Sequence, residues 1–477
     1  MSSCVHASCC CASAFPCPQA DTESEFLIHG FYADGCVRVA PETAHKFGLC
    51  GDASDLRTLL TGSMPAARDR ALFDAVYGEL GDGEERKAYF RLPAPDGSLR
   101  WWRILLVRCA GRLVGRAVCL GAQYLLRSCS EFFSHVEALS RIFEILRVHQ
   151  GEDVWFAPER TESGHGGSLI SGALGGSLLF TPKNAAAPAP EAVRLGCADS
   201  PAEVTASLSQ TADAERRSAQ GLTLADELLL LSSVERPEGA FTINVQPIFA
   251  EPGRPMIGAE ALLRLKKGRV SVPPAVMVPL FESSELAVAL GRQFFEPACG
   301  IAARIVGRDP EAFLSFNYSP MQTADTQFAD WMRLTAAEEG VPLSAFMIEL
   351  TESRPIPNPE EQRRLFAELR AMGMRTALDD FGTGFNSLDK LLSDRYDVVK
   401  IGGSVSRLLL SRTETNTFFT HLLFAFHSTG AIVCIECIES EAEAHRMKAL
   451  GADWLQGYHL ARPMPLGALP AAVFKEA

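Results

Sequence analysis

In the second half of this 477-residue chain, apolar runs repeatedly carry an acidic or amide side chain at a similar place. Glu260 lies in IGAEALLRL, Asn317 in AFLSFNYS, Glu349 in FMIELTES, and Asp379 and Asp380 stand side by side in RTALDDFG. Lys400 follows in DVVKIGG, Glu436 and Glu439 in IVCIECIES, and Gln456 in DWLQGYHL. Glu349, Asp379 and Glu436 come directly after apolar residues, a costly placement for a carboxylate unless something pairs with it. Two unit charges about 4 Å apart repel by about 4 kcal/mol at an effective dielectric of about 20. Several such pairs at one mouth would exceed the whole stability of a domain, about 5–15 kcal/mol. Either several of these groups are protonated or divalent cations sit among them. The set offers oxygen donors and no His or Cys, which selects hard ions, Mg²⁺ or Mn²⁺, over zinc. Adjacent aspartates suit a pair of ions, one carboxylate bridging and its neighbour holding the second. Two ions about 4 Å apart are the usual apparatus for in-line attack on a phosphodiester. The Gly382-Thr383-Gly384 turn lets the chain bend sharply over such a site.

Those side chains need a frame that gathers strand ends. Eight apolar strand candidates, 240–249, 257–265, 312–319, 346–353, 375–382, 397–403, 432–439 and 453–460, alternate with helical patterns. One helix is explicit in PEEQRRLFAELRAMG, with Leu365, Phe366, Leu369 and Met372 on one face and Gly373 placed to end it. The expectation is an α/β fold, a (β/α)8 TIM-like barrel over 222–477, with its functional groups at the C-terminal ends of the strands. Only AEPGRPM separates the first two strands. A parallel crossover needs a dozen or more residues, so the first strand is expected to run antiparallel.

Upstream, residues 26–125 predict a small α+β sheet domain, with strands at 35–43 and 86–92 and a strand–turn–strand over 95–120. Residues 126–221 predict a connecting helix over 129–150, then a Gly/Ala/Pro/Ser-rich linker, with a remnant of another domain as the alternative. Residues 1–25 hold Cys4, Cys9, Cys10, Cys11 and Cys17 and are expected to be a disordered tail, with a metal knot or an acylation site as alternatives. The net charge of −13 argues against a nucleic-acid polymer as partner. The apolar stretch FFTHLLFAFHSTGAIVCIECIE is broken by His421, His427 and Ser-Thr-Gly, so helix, turn and strand are expected rather than a membrane span. The remaining cysteines sit singly in apolar stretches, which points to a reduced, cytoplasmic setting.

Two resemblances sharpen this. HKFGL (45–49), PAARDRALF (65–73) and RLPAPDGSLRWWR (91–103) resemble a PAS domain, which implies a sensory or dimer-forming module and a homodimer. QPI (246–248), EALLR (260–264), FNYS (316–319), IELTES (348–353), ALDDFGTGFNSL (377–388), VVKIG (398–402), ECIES (436–440) and QGYHLARPMP (456–465) resemble, in order, the EAL-domain family of cyclic di-GMP phosphodiesterases. That resemblance implies a barrel with an antiparallel first strand and hydrolysis of cyclic di-GMP to linear pGpG with two Mg²⁺ or Mn²⁺ ions. It implies Glu260, Asn317, Glu349, Asp379 and Asp380 as metal ligands, and Glu436 as a further ligand or the base for the attacking water. By the same likeness Lys400 orients that water or steadies developing charge, and Glu352 braces the loop after Asp380. Gln246, Arg264, Glu439 and Gln456 would help hold the dinucleotide or the site around it. The chain departs from the family pattern at Gly402, where an aspartate is usual, at Cys437, where a glycine is usual, at Leu265 in place of Trp, and at Phe385-Asn386-Ser387 in place of Tyr-Ser-Ser. Gly402 and Cys437 keep a second reading open, a cyclic di-GMP receptor without turnover, and mark Gly402→Asp as a restoring substitution.

Overall fold

The computed structural model describes residues 25–33, 36–39, 64, 66–77, 80–81, 83–93, 99–109, 112–133, 135–158, 174–211, 221–235, 239–268, 270–351, 356–382, 394–411 and 416–474. The Cys-rich start, the PAS-like HKFGL stretch and Glu352 lie outside them.

Eight strands close into a ring in the C-terminal half: β9 (Phe241–Phe249), β10 (Met256–Lys267), β12 (Phe313–Tyr318), β13 (Phe346–Leu350), β14 (Arg375–Leu378), β15 (Val398–Ile401), β16 (Ile432–Ile435) and β17 (Trp454–Leu455). A short β11 (Val270–Val272) extends β10 as a hairpin. β9 is antiparallel to both neighbours, β10 and β17, and the other ring pairs are parallel. The barrel and its antiparallel first strand are therefore as the sequence implied. Helices α5 (Pro274–Glu282), α6 (Leu286–Val306), α7 (Phe328–Glu338), α8 (Pro359–Ala371), α9 (Gly403–Ser411), α10 (Asn416–Ser428) and α11 (Glu441–Leu450) stand between the strands. In α8 the side chain of Asn358 accepts from Glu361 N–H, and Pro359 follows at the first helical position, where its missing N–H costs nothing.

Strand periodicity divides the barrel interior into two layers. Ile248, Phe313, Met347, Ala377, Val398 and Cys434 form one closed apolar cluster. Two residues further along four of these strands come Ser315, Glu349, Asp379 and Lys400, on the same inward face. A Cβ at Gly258 would meet the Phe313 ring at 2.6 Å, so the lower layer is filled by an aromatic plug for which β10 makes room. The plug leaves the polar layer a dry floor.

Before the barrel lies a five-stranded antiparallel sheet of order β2-β1-β5-β4-β3, made of β1 (Glu25–Ala33), β2 (Cys36–Val39), β3 (Glu85–Pro93), β4 (Leu99–Cys109) and β5 (Arg112–Cys119), with helix α1 (Ala67–Tyr77). It does not hang from a linker. Ala88, Phe90, Ile104 and Leu106 join one apolar cluster with barrel residues, while Tyr89, Trp101 and Val118 on the other face join a second cluster. That second cluster also takes in Leu139 and Ile142 of α2 (Val136–Val148) and Leu228–Leu231 of α4 (Leu224–Glu235).

The described residues of the segment expected to be linker, 151–158 and 174–211, are largely folded, as the alternative of a further domain implied. β6 (Glu152–Pro158), β7 (Gly176–Pro182) and β8 (Val193–Cys197) form a three-stranded antiparallel sheet of order β7-β6-β8, followed by α3 (Pro201–Thr211). The physical reason for the misreading is Gly176. A Cβ there would meet the Ala157 carbonyl and the Phe156 ring at 2.5 Å, so a glycine that looks like flexibility in the sequence serves close packing.

Candidate active site

Lys400 organises the polar layer. It is 1% exposed, and its ammonium lies 2.7 Å from Glu349 Oε2, 2.8 Å from Glu436 Oε1, 3.1 Å from Glu260 Oε2 and 3.2 Å from Asp379 Oδ1. Four strands thus bring a carboxylate to one cation. The ladders set this up: Asn317 pairs with Glu349 across β12 and β13, and Gln246 with Glu260 across β9 and β10. Backbone bonds from Asp379 N to Leu350 O (3.0 Å) and from Glu436 N to Ile401 O (3.2 Å) carry the parallel pairing one residue past the ends of β14 and β16. An amide relay steadies Glu260. Asn317 Nδ2 donates to its Oε1 at 2.9 Å and Gln456 Nε2 to its Oε2 at 2.8 Å, while Gln246 Nε2 is anchored on the Ala461 carbonyl at 3.1 Å.

Charge follows from this geometry. Burial alone would lower the Lys400 ammonium, but Asp379, Glu260, Glu349 and Glu436 around it push it well above its ordinary value. Burial opposes ionisation of Glu260, yet Lys400, Gln456 and Asn317 outweigh it and hold that carboxyl below the usual range. Burial wins at the others: Glu349 is pushed up to about 8, Asp379 to about 6, and Glu436 well above a free glutamate. The sequence offered protonation or divalent ions to reconcile the carboxylates, and the structure adds a third means, the buried ammonium. Among the described residues, no three His, Cys, Asp or Glu side chains already stand at ion-holding spacing. The donor chemistry nevertheless suits a hard cation. Every donor is oxygen, one lysine faces four carboxylates, and Glu349 Oε1 is buried without a hydrogen-bond donor.

Two cavities flank the cluster. The larger, about 590 Å³, runs past Asn317, Asp379, Asp380 and Arg264 to an apolar wall of Met277, Val278, Phe281, Leu290 and Phe294. The smaller, about 310 Å³, is lined by Gln246, Glu260, Glu436, Glu439 and Gln456, and by Arg407, Cys437 and Tyr458. Arg264 is half-buried in the larger cavity, and Glu439 is exposed at the rim of the smaller. The ring of Tyr458 is covered by the Arg462 guanidinium at 4.5 Å.

Asp380 departs from simple expectation. It stands at the exposed rim with φ 51°, outside the group of four carboxylates that lie within 3.2 Å of Lys400. Its Oδ1 fills the space beside Gly402: a Cβ at that glycine would meet Oδ1 at 2.0 Å and the Asp380 Cα at 2.8 Å. Gly402→Asp is therefore not a plain restoration, because the new side chain needs space that Asp380 already fills. Cys437 likewise has φ 59°, a region that favours glycine, and its thiol lies against Gly403 at the start of α9. The sequence reading missed the apolar cleft wall, Arg407 and Tyr458. PPAVMVPLFE does carry a signal, an apolar helix opened by proline, but nothing in its spacing aims it at the site.

Among comparisons with known proteins, residues 233–463 match the EAL domain family profile. Rv1357c of Mycobacterium tuberculosis is 31% identical over 235 residues, covering 48% of this chain and 76% of that protein. The cyclic di-GMP phosphodiesterase RocR of Pseudomonas aeruginosa is 28% identical over 228 residues, 48% of this chain and 58% of RocR. A protein of Azorhizobium caulinodans is 30% identical over 254 residues, and the match spans 34% of its length. The solved PaMucR phosphodiesterase in its c-di-GMP complex aligns with 50% of this chain and 99% of that one, at 27% identity and a TM-score of 0.47.

Proposed function

Because the chain belongs to the EAL domain family, we propose that it hydrolyses cyclic di-GMP to linear pGpG. The observation that carries this reading is the set of four carboxylates around buried Lys400, set between two cavities. In this reading Glu260, Asn317, Glu349, Asp379 and Asp380 would hold two Mg²⁺ or Mn²⁺ ions. Such ions, when bound, supply charge neutralisation on the phosphate and acidify a water. Glu436 takes the proton of the attacking water. Its carboxyl stands at the wall of the smaller cavity, 2.8 Å from the Lys400 ammonium, where an attacking water can reach it. Lys400 fixes the four carboxylates and offsets negative charge that grows on the phosphate oxygens. Arg264 binds the dinucleotide from the larger cavity and Glu439 from the rim of the smaller, while Gln246 and Gln456 hold Glu260 in place. Glu352 keeps its expected role as a brace.

The N-terminal sheet is proposed as a PAS-like module that modulates this activity, the protein acting as a cytoplasmic homodimer. The strand order of that sheet and the exposed Phe418 and Phe424 on α10 support this reading. Among the described residues no helix is long and apolar enough to cross a membrane. Incubating the full chain with cyclic di-GMP and Mg²⁺ or Mn²⁺ tests the activity. The expected product is pGpG, lost on chelation with EDTA and lost in a folded Asp379→Ala variant. The second reading, a receptor without turnover, is favoured by the seat of Asp380 beside Gly402. Tight metal-free binding by folded protein that forms no pGpG would select it.

A further inference from the structure

Helix α6 presents two opposed faces. At about 100° per residue, Glu285 at its N-cap, Arg292 and Glu296 share one face, and Ala287, Leu290, Gly291 and Phe294 share the other. The second face lines the larger cavity. The first is gripped by the N-terminal sheet and its helix α1. Glu285 accepts from Tyr89 Oη at 3.2 Å and pairs with Arg103 and, at 3.7 Å, with Lys87. Glu296 pairs with Arg68 and, at 3.8 Å, with Arg91. Between them Arg292, fully buried, forks onto Asp325 through two bonds of 2.7 Å and donates a third, of 2.8 Å, to the Tyr89 carbonyl. The backbone of β3 thus completes the coordination of a buried cation in the barrel.

The next residue back, Gly291, is where this grip reaches the cleft. A Cβ there would meet Gln322 Nε2 at 1.7 Å, so helix and turn are in tight contact. Gln322 in turn accepts from Ser319 N–H at 2.8 Å, just after the strand that carries Asn317. A displacement of β3 cannot leave Arg292 unsatisfied, and α6 cannot follow β3 without moving the cleft wall.

We propose that Glu285 and Arg292 are positioning residues, through which the N-terminal sheet sets the affinity of the larger cavity for its ligand. The proposal takes cyclic di-GMP as that ligand from the proposed function; the coupling itself stands on α6. Lys400 and the four carboxylates around it lie on strands other than the one that precedes Gln322, so KM should respond more than kcat.

The test uses the full chain. Arg292→Lys is the obvious variant, but it strains a fully buried cluster. Glu285→Ala removes three contacts at a partly exposed position, Glu285→Gln keeps an acceptor, and Tyr89→Phe removes one hydroxyl. In Glu285→Ala, KM for cyclic di-GMP should rise about tenfold with kcat nearly unchanged, and amide exchange over 290–294 should quicken. Glu285→Gln should restore most of both, and Tyr89→Phe should shift both in the same direction by less. A folded Glu285→Ala with wild-type KM and wild-type exchange overturns the proposal, as does a fall in kcat at constant KM. If the wild type forms no pGpG, the hydrolysis reading fails on its own. Exchange over 290–294 then decides the coupling: faster in Glu285→Ala supports it, unchanged overturns it.

Discussion

At the scale of single residues, Lys400 is the group on which the site depends. A buried ion pair contributes little net stability, but removing one partner leaves the others uncompensated. Lys400→Met is therefore expected to destabilise the fold by about 3 kcal/mol in urea melts without added metal. Gly402 is the second such residue. Substitution there pushes into the Asp380 backbone, and a misplacement of about 1 Å at a reacting centre costs about 100-fold in rate. Gly402→Asp is thus expected to lower turnover rather than raise it, against the simplest reading of the family pattern. A steady-state assay of the folded variant checks this. Lys400, Glu260, Glu349, Asp379 and Glu436 were legible in the sequence because a charged group after an apolar run is expensive and so stands out. The seat of Asp380 was not, because it depends on Asp380 and Gly402, at the ends of neighbouring strands, meeting in space.

At the scale of elements, period-two alternation made the barrel readable. Met347 and Glu349, or Val398 and Lys400, lie two apart on the inward face, one in the apolar floor and one in the polar layer. The short link between β9 and β10 forced the antiparallel first strand. The floor itself depends on Gly258 giving way to Phe313. Gly258→Val should overpack it and destabilise the protein by about 2 kcal/mol, measured in urea, with the lysine cluster loosened above it. What the sequence hid were elements whose glycines serve packing. Gly176 beside Phe156 made a folded three-stranded sheet resemble a linker, since composition does not distinguish a glycine needed for a turn from one needed for space.

At the scale of the whole molecule, the N-terminal sheet, the middle sheet and the barrel share apolar clusters, and α6 is held from outside as well as from within. Cutting the chain at 221, which the sequence suggests as a clean boundary, would strip the Arg292–Asp325 pair of its third partner and uncover the faces of α4 and α5. The 222–477 fragment is expected to melt at least about 5 °C below the full chain by calorimetry. Joined in this way, the layers present a single claim for test: buried carboxylates around Lys400 direct water onto a phosphodiester. The most direct measurement is hydrolysis of cyclic di-GMP by the full chain in ¹⁸O-labelled water with Mn²⁺, read by mass spectrometry. Linear pGpG carrying a single ¹⁸O on its phosphate is the predicted result. Intact cyclic di-GMP after hours with folded, metal-supplied protein would contradict it.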